Sequence, residues 1–241
     1  MSSSKANVWV VLPAAGSGSR MQSETPKQFL TINQKLVIEY SLELFLLQAD
    51  IAGIVVVGDS TNNFLSVLLN KYQKVICVPG GNERIDSVLS GCQYISDNCN
   101  ADWILVHDAA RPCLHQADLC RLLKQRENFK AGALLAGPVV DTLKKRHENE
   151  SLSTVSRDNL FRAFTPQLVR SELLIRALSS CRDEAFIPTD EAQAIERIGY
   201  HLNIIEGRQD NIKITYPDDL VLAELILQSH QSQNKNKLSE N

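Results

Sequence analysis

The chain reads as an α/β fold, a mostly parallel sheet flanked by helices with a protruding β-hairpin arm. Three observations predict it. Short apolar runs at 8–12, 53–57, 75–78 and 103–106 are bounded by turn residues, as strands buried within a covered sheet require. The segments between them carry apolar residues at helical spacing. Beyond residue 140 this alternation gives way to a charged stretch, Lys144-Lys145-Arg146-His147-Glu148-Asn149-Glu150, set between extended flanks.

Taken in order, the run 8–12 is the first strand, and it opens onto a loop rich in small residues. A helix is expected over 35–49, where Val37, Ile38, Ser41, Leu42, Phe45 and Leu46 share one face. Strands at 53–57 and 75–78 follow. Val88, Leu89, Cys92 and Ile95 give a helix over 83–96, and after the strand at 103–106 Leu119, Leu122 and Leu123 give another over 116–126. Residues 133–140 are strand-like, the charged tip has no apolar period, and 152–156 is extended again. An arm over about 138–160 results. Helices are expected over 168–180, over 189–199 with Thr189 as N-cap, and over 217–229 behind Pro217-Asp218-Asp219. The runs 202–206 and 211–215 read as late strands, and the polar tail 229–241 is expected to fray. No repeat or linker divides the chain, so one domain is expected over 1–241, with ligands at the carboxyl ends of the strands.

Composition narrows the function. A chain of 241 residues with 44% hydrophobic content supports a packed globular core. A net charge of −3 offers no general basic surface to nucleic acid, so any phosphate must be met by local cations. The short polar start holds no apolar signal core, and no run approaches the ~18 apolar residues of a membrane span. The six cysteines form no C-x-x-C pair and read as reduced thiols without a chemical role. A cytoplasmic enzyme with no membrane or nucleic-acid partner is expected.

The chemistry collects just after the strands. Ala14-Ala15-Gly16-Ser17-Gly18-Ser19-Arg20-Met21 leaves the backbone nearly bare, and Arg20 and Lys27 supply two cations close by. Exposed N–H groups in such a turn form a hollow for an anion, and fixed cations suit a polyphosphate that gathers charge as it reacts. The loop lacks the Lys-Ser/Thr of a Walker A motif, and Met21 stands where a dinucleotide fingerprint needs its third glycine. After 75–78, Gly80 and Gly81 let backbone approach a flat ligand such as a nucleobase, with Asn82 and Ser87 as polar handles. After 103–106, His107-Asp108-Ala109-Ala110-Arg111 places an acid and a cation where hydroxyl and phosphate recognition, a magnesium site or a simple Asp108–Arg111 cap are all open. His107 reads as a packed, hydrogen-bonded residue. Thr165, Thr189 and Lys213 each pair a hydroxyl or cation with a turn.

The segments PAAGSGSRM, TPKQF, GGNERIDSV, VHDAARP, DTLK, TPQ, TDEAQAIE and EGRQDNIKIT together resemble the 2-C-methyl-D-erythritol 4-phosphate cytidylyltransferases, from about residue 8 to 228. The resemblance implies a Rossmann-like α/β domain that forms homodimers through its arm. It implies transfer of CMP from CTP to methylerythritol phosphate, giving CDP-methylerythritol and pyrophosphate, in non-mevalonate isoprenoid synthesis. Under it, Ala14, Ala15 and Gly16 contact CTP through the backbone. Arg20 and Lys27 grip the triphosphate, and Gly81, Asn82 and Ser87 border the cytosine. Asp108, Ala109 and Arg111 lie between ribose and acceptor, while Thr165, Thr189 and Lys213 complete the site. Lys213 joins Arg20 and Lys27 as a catalytic cation. Thr142 and Arg157, on the arm, reach the acceptor phosphate in the partner subunit. Magnesium or another divalent cation is held mainly by the CTP phosphates. A sibling enzyme acting on another polyol phosphate such as ribitol 5-phosphate, a non-catalytic nucleotide-binding module and a dinucleotide oxidoreductase are the competing readings.

Overall fold

The computed structural model describes residues 7–16, 21, 23–148 and 150–239, with 233–239 described by backbone alone. Strands are β1 (Val8–Pro13), β2 (Thr31–Ile32), β3 (Lys35–Leu36), β4 (Ile51–Val57), β5 (Val75–Val78), β6 (Trp103–Val106), β7 (Gly132–Pro138), β8 (Leu143–Arg146), β9 (Leu152–Val155), β10 (Phe161–Arg170) and β11 (Asn203–Glu206). Helices are α1 (Val37–Leu46), α2 (Asn63–Lys71), α3 (Arg84–Asn98), α4 (Gln116–Gln125), α5 (Ser171–Asp183), α6 (Glu191–Arg197) and α7 (Pro217–Ser239).

Seven strands form one sheet in the order β11-β7-β10-β6-β1-β4-β5. β1 runs parallel to β4 and β6, and β4 runs parallel to β5. β10 is antiparallel to both β6 and β7, and β11 is parallel to β7. The continuous apolar runs have their explanation here. Successive strand residues point to opposite faces, and helices cover both. Val8, Val10 and Leu12 of β1, with Trp103 and Leu105 of β6, pack with Leu42, Phe45, Leu65, Leu68 and Leu119 of α1, α2 and α4. Val11, Ile104 and Val106 pack on the other face with Val88, Leu89, Leu174 and Ile195 of α3, α5 and α6.

The arm is present as expected: β8 and β9 pair antiparallel, Leu143 opposite Val155 and Arg146 opposite Leu152, with their residues largely exposed.

Four sequence expectations need correction. Residues 168–170 belong to β10, because Leu168 and Val169 pair with Leu105 and Ile104 on one side and with Ala133 and Gly132 on the other. Two ladders and burial on both faces override the helical pattern there, and α5 begins only at Ser171. Residues 211–215 form no ladder; their backbone is used instead by the loop after β6, with Ile214 N–H donating to Ala110 O at 2.9 Å and Arg111 donating to Asn211 O at 2.7 Å. The N-cap of α6 is Asp190, which accepts from Gln193 N–H at 2.9 Å. Finally, α7 continues to Ser239, since nothing from Asp218 onward is a Pro or Gly that would break it. Ala223 and Leu227 anchor it against Cys113 and Ile214.

Candidate active site

The carboxyl ends of β1, β5 and β6 open on the same side of the sheet. Behind β1, Ala14 N–H donates to Val57 O at 2.8 Å. The buried Gln28 side chain donates to Ala14 O at 2.6 Å and Gly16 O at 3.0 Å. Those carbonyls are therefore turned inward, while Ala15 and Gly16 remain exposed. Gln28 sits in a single 3-10 turn, Lys27–Phe29, which also presents Lys27; its Nζ donates to Ile214 O at 2.8 Å. Behind β5, Gly81 N–H donates to Ser87 Oγ at 3.1 Å. A Cβ on Gly81 would lie 2.3 Å from that of Asp86, so only glycine lets this loop close over the start of α3.

Asp108, at the end of β6, is the electrostatic centre. Its backbone N–H donates to Thr165 Oγ1 at 3.0 Å. Its carboxylate faces three cations: Arg84 Nη2 at 3.3 Å from Oδ1, and Arg111 Nε at 3.4 Å and Lys213 Nζ at 2.9 Å from Oδ2. Burial alone would raise the Asp108 pKa, but Arg84, Lys213 and Arg111 more than offset it and hold the group well below the usual carboxylate range. Arg84 is shared with Glu191, which it meets at 2.6 and 3.3 Å. Burial opposes the charge of Arg84, yet Glu191 and Asp108 outweigh it and raise its pKa.

His107 lies beneath, fully buried. It contacts Ser41 Oγ at 3.2 Å, Arg111 O at 3.1 Å and Thr165 Oγ1 at 3.0 Å. Burial is the main cause pushing its pKa down to about 4, so the ring is neutral at pH 7. It holds the loop rather than facing the cavity.

Two cavities adjoin across this cluster. One of about 220 Å³ runs from Ala15, Gly16 and Lys27 to Gly81, Asn82 and Ser87. The other, about 230 Å³, is bordered by Arg111, Thr165, Gln167 and Thr189. Arg84, Asp108 and Lys213 line both.

The sequence profile of the family described as 2-C-methyl-D-erythritol 4-phosphate cytidylyltransferase matches residues 8–229. The chain belongs to this family. A cytidylyltransferase of that description from Salmonella paratyphi B is 44% identical over 230 residues, covering 94% of this chain and 96% of its own. A crystal structure of 4-diphosphocytidyl-2C-methyl-D-erythritol synthase superposes with a TM-score of 0.80 at 34% identity, covering 92% of this chain and 99% of the other. The Francisella tularensis 2-C-methyl-D-erythritol 4-phosphate cytidylyltransferase does so with 0.80 at 32% identity, covering 92% and 100%.

Within this cytidylyltransferase, Ala15, Gly16, Lys27, Gly81, Asn82, Ser87, Asp108, Ala109 and Lys213 all line the first cavity. Asp108, Arg111, Thr165, Thr189 and Lys213 line the second. Ala14 lies just beneath, buried, with its backbone N–H given to Val57 and its carbonyl to Gln28. Thr142 and Arg157 border neither cavity of their own chain; Arg157 donates to Val140 O at the base of the arm. Arg20 lies outside the described residues. Sequence reading missed Arg84, Glu191 and Gln28. Arg84 follows the glycine pair inside GGNERIDSV, and a cation beside a suspected nucleobase loop was the available signal. Gln28 and Glu191 stand inside the segments TPKQF and TDEAQAIE, but nothing local showed what they hold: Gln28 reaches back to Ala14 and Gly16 of the preceding loop, and Glu191 meets Arg84 from a distant helix.

Proposed function

We propose that this chain transfers CMP from CTP to 2-C-methyl-D-erythritol 4-phosphate, releasing pyrophosphate, as the names of its relatives indicate, within non-mevalonate isoprenoid synthesis. The carrying observation is the pair of adjoining cavities sharing Arg84, Asp108 and Lys213. Two ligands could meet on one wall whose side chains are charged. The nucleotide takes the glycine-rich side and the acceptor takes the side of Arg111, Thr165 and Thr189, on a single domain.

The reaction needs no general base. The acceptor is a phosphate monoester with a second pKa of about 6, so it is largely dianionic at neutral pH. One of its oxygens attacks the α-phosphorus in line, and the bond to the β-phosphate bridging oxygen breaks, its electron pair leaving with pyrophosphate. The obstacle is anion–anion repulsion. Lys27, Lys213 and, from the sequence, Arg20 offset the charge gathering on the phosphates. The exposed Ala15–Gly16 backbone supplies neutral donors, and Gly81, Asn82 and Ser87 border the base. Ala109 and Asp108 sit where a ribose would turn toward the acceptor.

Among the described residues no group of three or more His, Cys, Asp or Glu side chains could hold a metal, and Asp108 is already engaged by three cations. A divalent cation such as Mg²⁺, held mainly by the CTP phosphates, would neutralise part of their charge. Thr142 and Arg157 fit the acceptor phosphate of a second copy, which makes the working unit a homodimer through the arm. No described helix is long and apolar enough to cross a membrane.

The deciding test is incubation with CTP, Mg²⁺ and methylerythritol phosphate while pyrophosphate is followed, with ribitol 5-phosphate in parallel. Release with methylerythritol phosphate alone supports the proposal; release only with ribitol 5-phosphate replaces the acceptor.

A further inference from the structure

We propose that Glu191 is a positioning residue of this site: acting through Arg84, it fixes the Asp108 carboxylate on the wall between nucleotide and acceptor. The proposal rests on the cytidylyltransferase reading above.

Glu191 is the first residue of α6 and its side chain is 1% exposed. Its two carboxylate oxygens take hydrogen bonds from Arg84, Nη1 at 2.6 Å and Nη2 at 3.3 Å. Arg84 is in turn the first residue of α3. The pair thus joins the starts of two helices, one following the Gly81 loop on the nucleotide side and the other following Thr189 on the acceptor side. A planar guanidinium that gives both Nη atoms to Glu191, and Nη2 to Asp108 as well, has little freedom to swing.

The consequence falls on Asp108. Arg84 Nη2 occupies its Oδ1, which leaves Oδ2 to Lys213 and Arg111. Without Glu191, Arg84 is free to turn wholly onto Asp108 or toward an incoming phosphate. Either movement alters the position of the carboxylate and the hold on Lys213. A buried ion pair is by itself weak evidence for stability. What distinguishes this one is that its cation is also a wall of both cavities.

The test uses the full chain. Wild-type pyrophosphate release is measured first; an inactive wild type overturns the parent reading and this inference together. In an active wild type, Glu191→Gln keeps the side-chain size and removes the charge. The expected result is a fall of about tenfold in kcat/KM for the acceptor, carried by KM. Arg84→Lys does not restore function in place of Arg84, because an ammonium lacks the planar fork that pairs with both Glu191 oxygens while one of its nitrogens also reaches Asp108. Arg84→Ala combined with Glu191→Gln is no worse than Arg84→Ala alone, as residues acting through one another require. Wild-type acceptor kinetics in Glu191→Gln overturns the proposal. So does an additive double variant, or a loss that merely tracks the folded fraction.

Discussion

Gln28 donates from Nε2 to the Ala14 carbonyl at 2.6 Å, reaching back from the turn after the glycine-rich loop into its start. The second bond, to Gly16 O, uses the other proton of the same amide. One buried side chain thus orients two carbonyls of a loop that has almost no side chains of its own. Gln28→Leu leaves those carbonyls without their partner, at a cost of about 1–3 kcal/mol. The expected result is a rise of about tenfold in the KM for CTP, with the acceptor KM little changed. Equal effects on both substrates would show that the loop is not the element Gln28 controls.

Lys27 lies on the same turn, with its ammonium at the Ile214 carbonyl. Removing a key electrostatic donor from a charge-gathering transition state costs about 10²–10³ in kcat. Lys27→Ala should fall in that range at saturating CTP. A variant turning over at the wild-type rate would take Lys27 out of the catalytic role.

Arg157 and Thr142 border neither cavity of their own chain. If the arm serves a second copy, Arg157→Ala raises the acceptor KM and spares CTP affinity. Co-expression with Lys27→Ala then regains activity in mixed dimers, where one site has both native residues. No recovery in proven mixed dimers, or a selective loss of CTP binding, would remove the arm from the site.

His107 contributes to the pH dependence of folding. Its pKa is about 4 in the folded chain, against about 6.5 unfolded. Between these values the unfolded chain binds the proton and the folded chain does not, so stability falls as the pH drops from about 6.5 to about 4. The loss saturates near 3 kcal/mol, roughly, below that window. Denaturant unfolding at stepped pH should show this slope, and His107→Gln should flatten it. An unchanged slope in the variant would assign the effect elsewhere.

Much of this molecule is legible in the chain. The runs 8–12 and 103–106 are strands because both faces are covered, and that condition is written as unbroken apolarity. The loops after β1, β5 and β6 announce themselves through glycines and clustered charge. The arm shows itself by losing all apolar period. What misleads is context. Leu168 and Val169 sit in a helical pattern but are claimed by two neighbouring strands. Residues 211–215 alternate like a strand yet give their backbone to the loop after β6. Thr189 resembles a cap, but Asp190 has the oxygen at the right place.

From the sequence alone came the alternating α/β plan, the glycine-rich loop and the cations destined for phosphate. Each is a local property, set by side-chain spacing and backbone freedom within a few residues. Only tertiary structure decided that Asp108 would face Arg84, Arg111 and Lys213 at once, and that Glu191 would hold Arg84 from another helix. Those pairings are fixed by how strands and helices pack across long stretches of chain, and charge finds its partners only after the core has placed them.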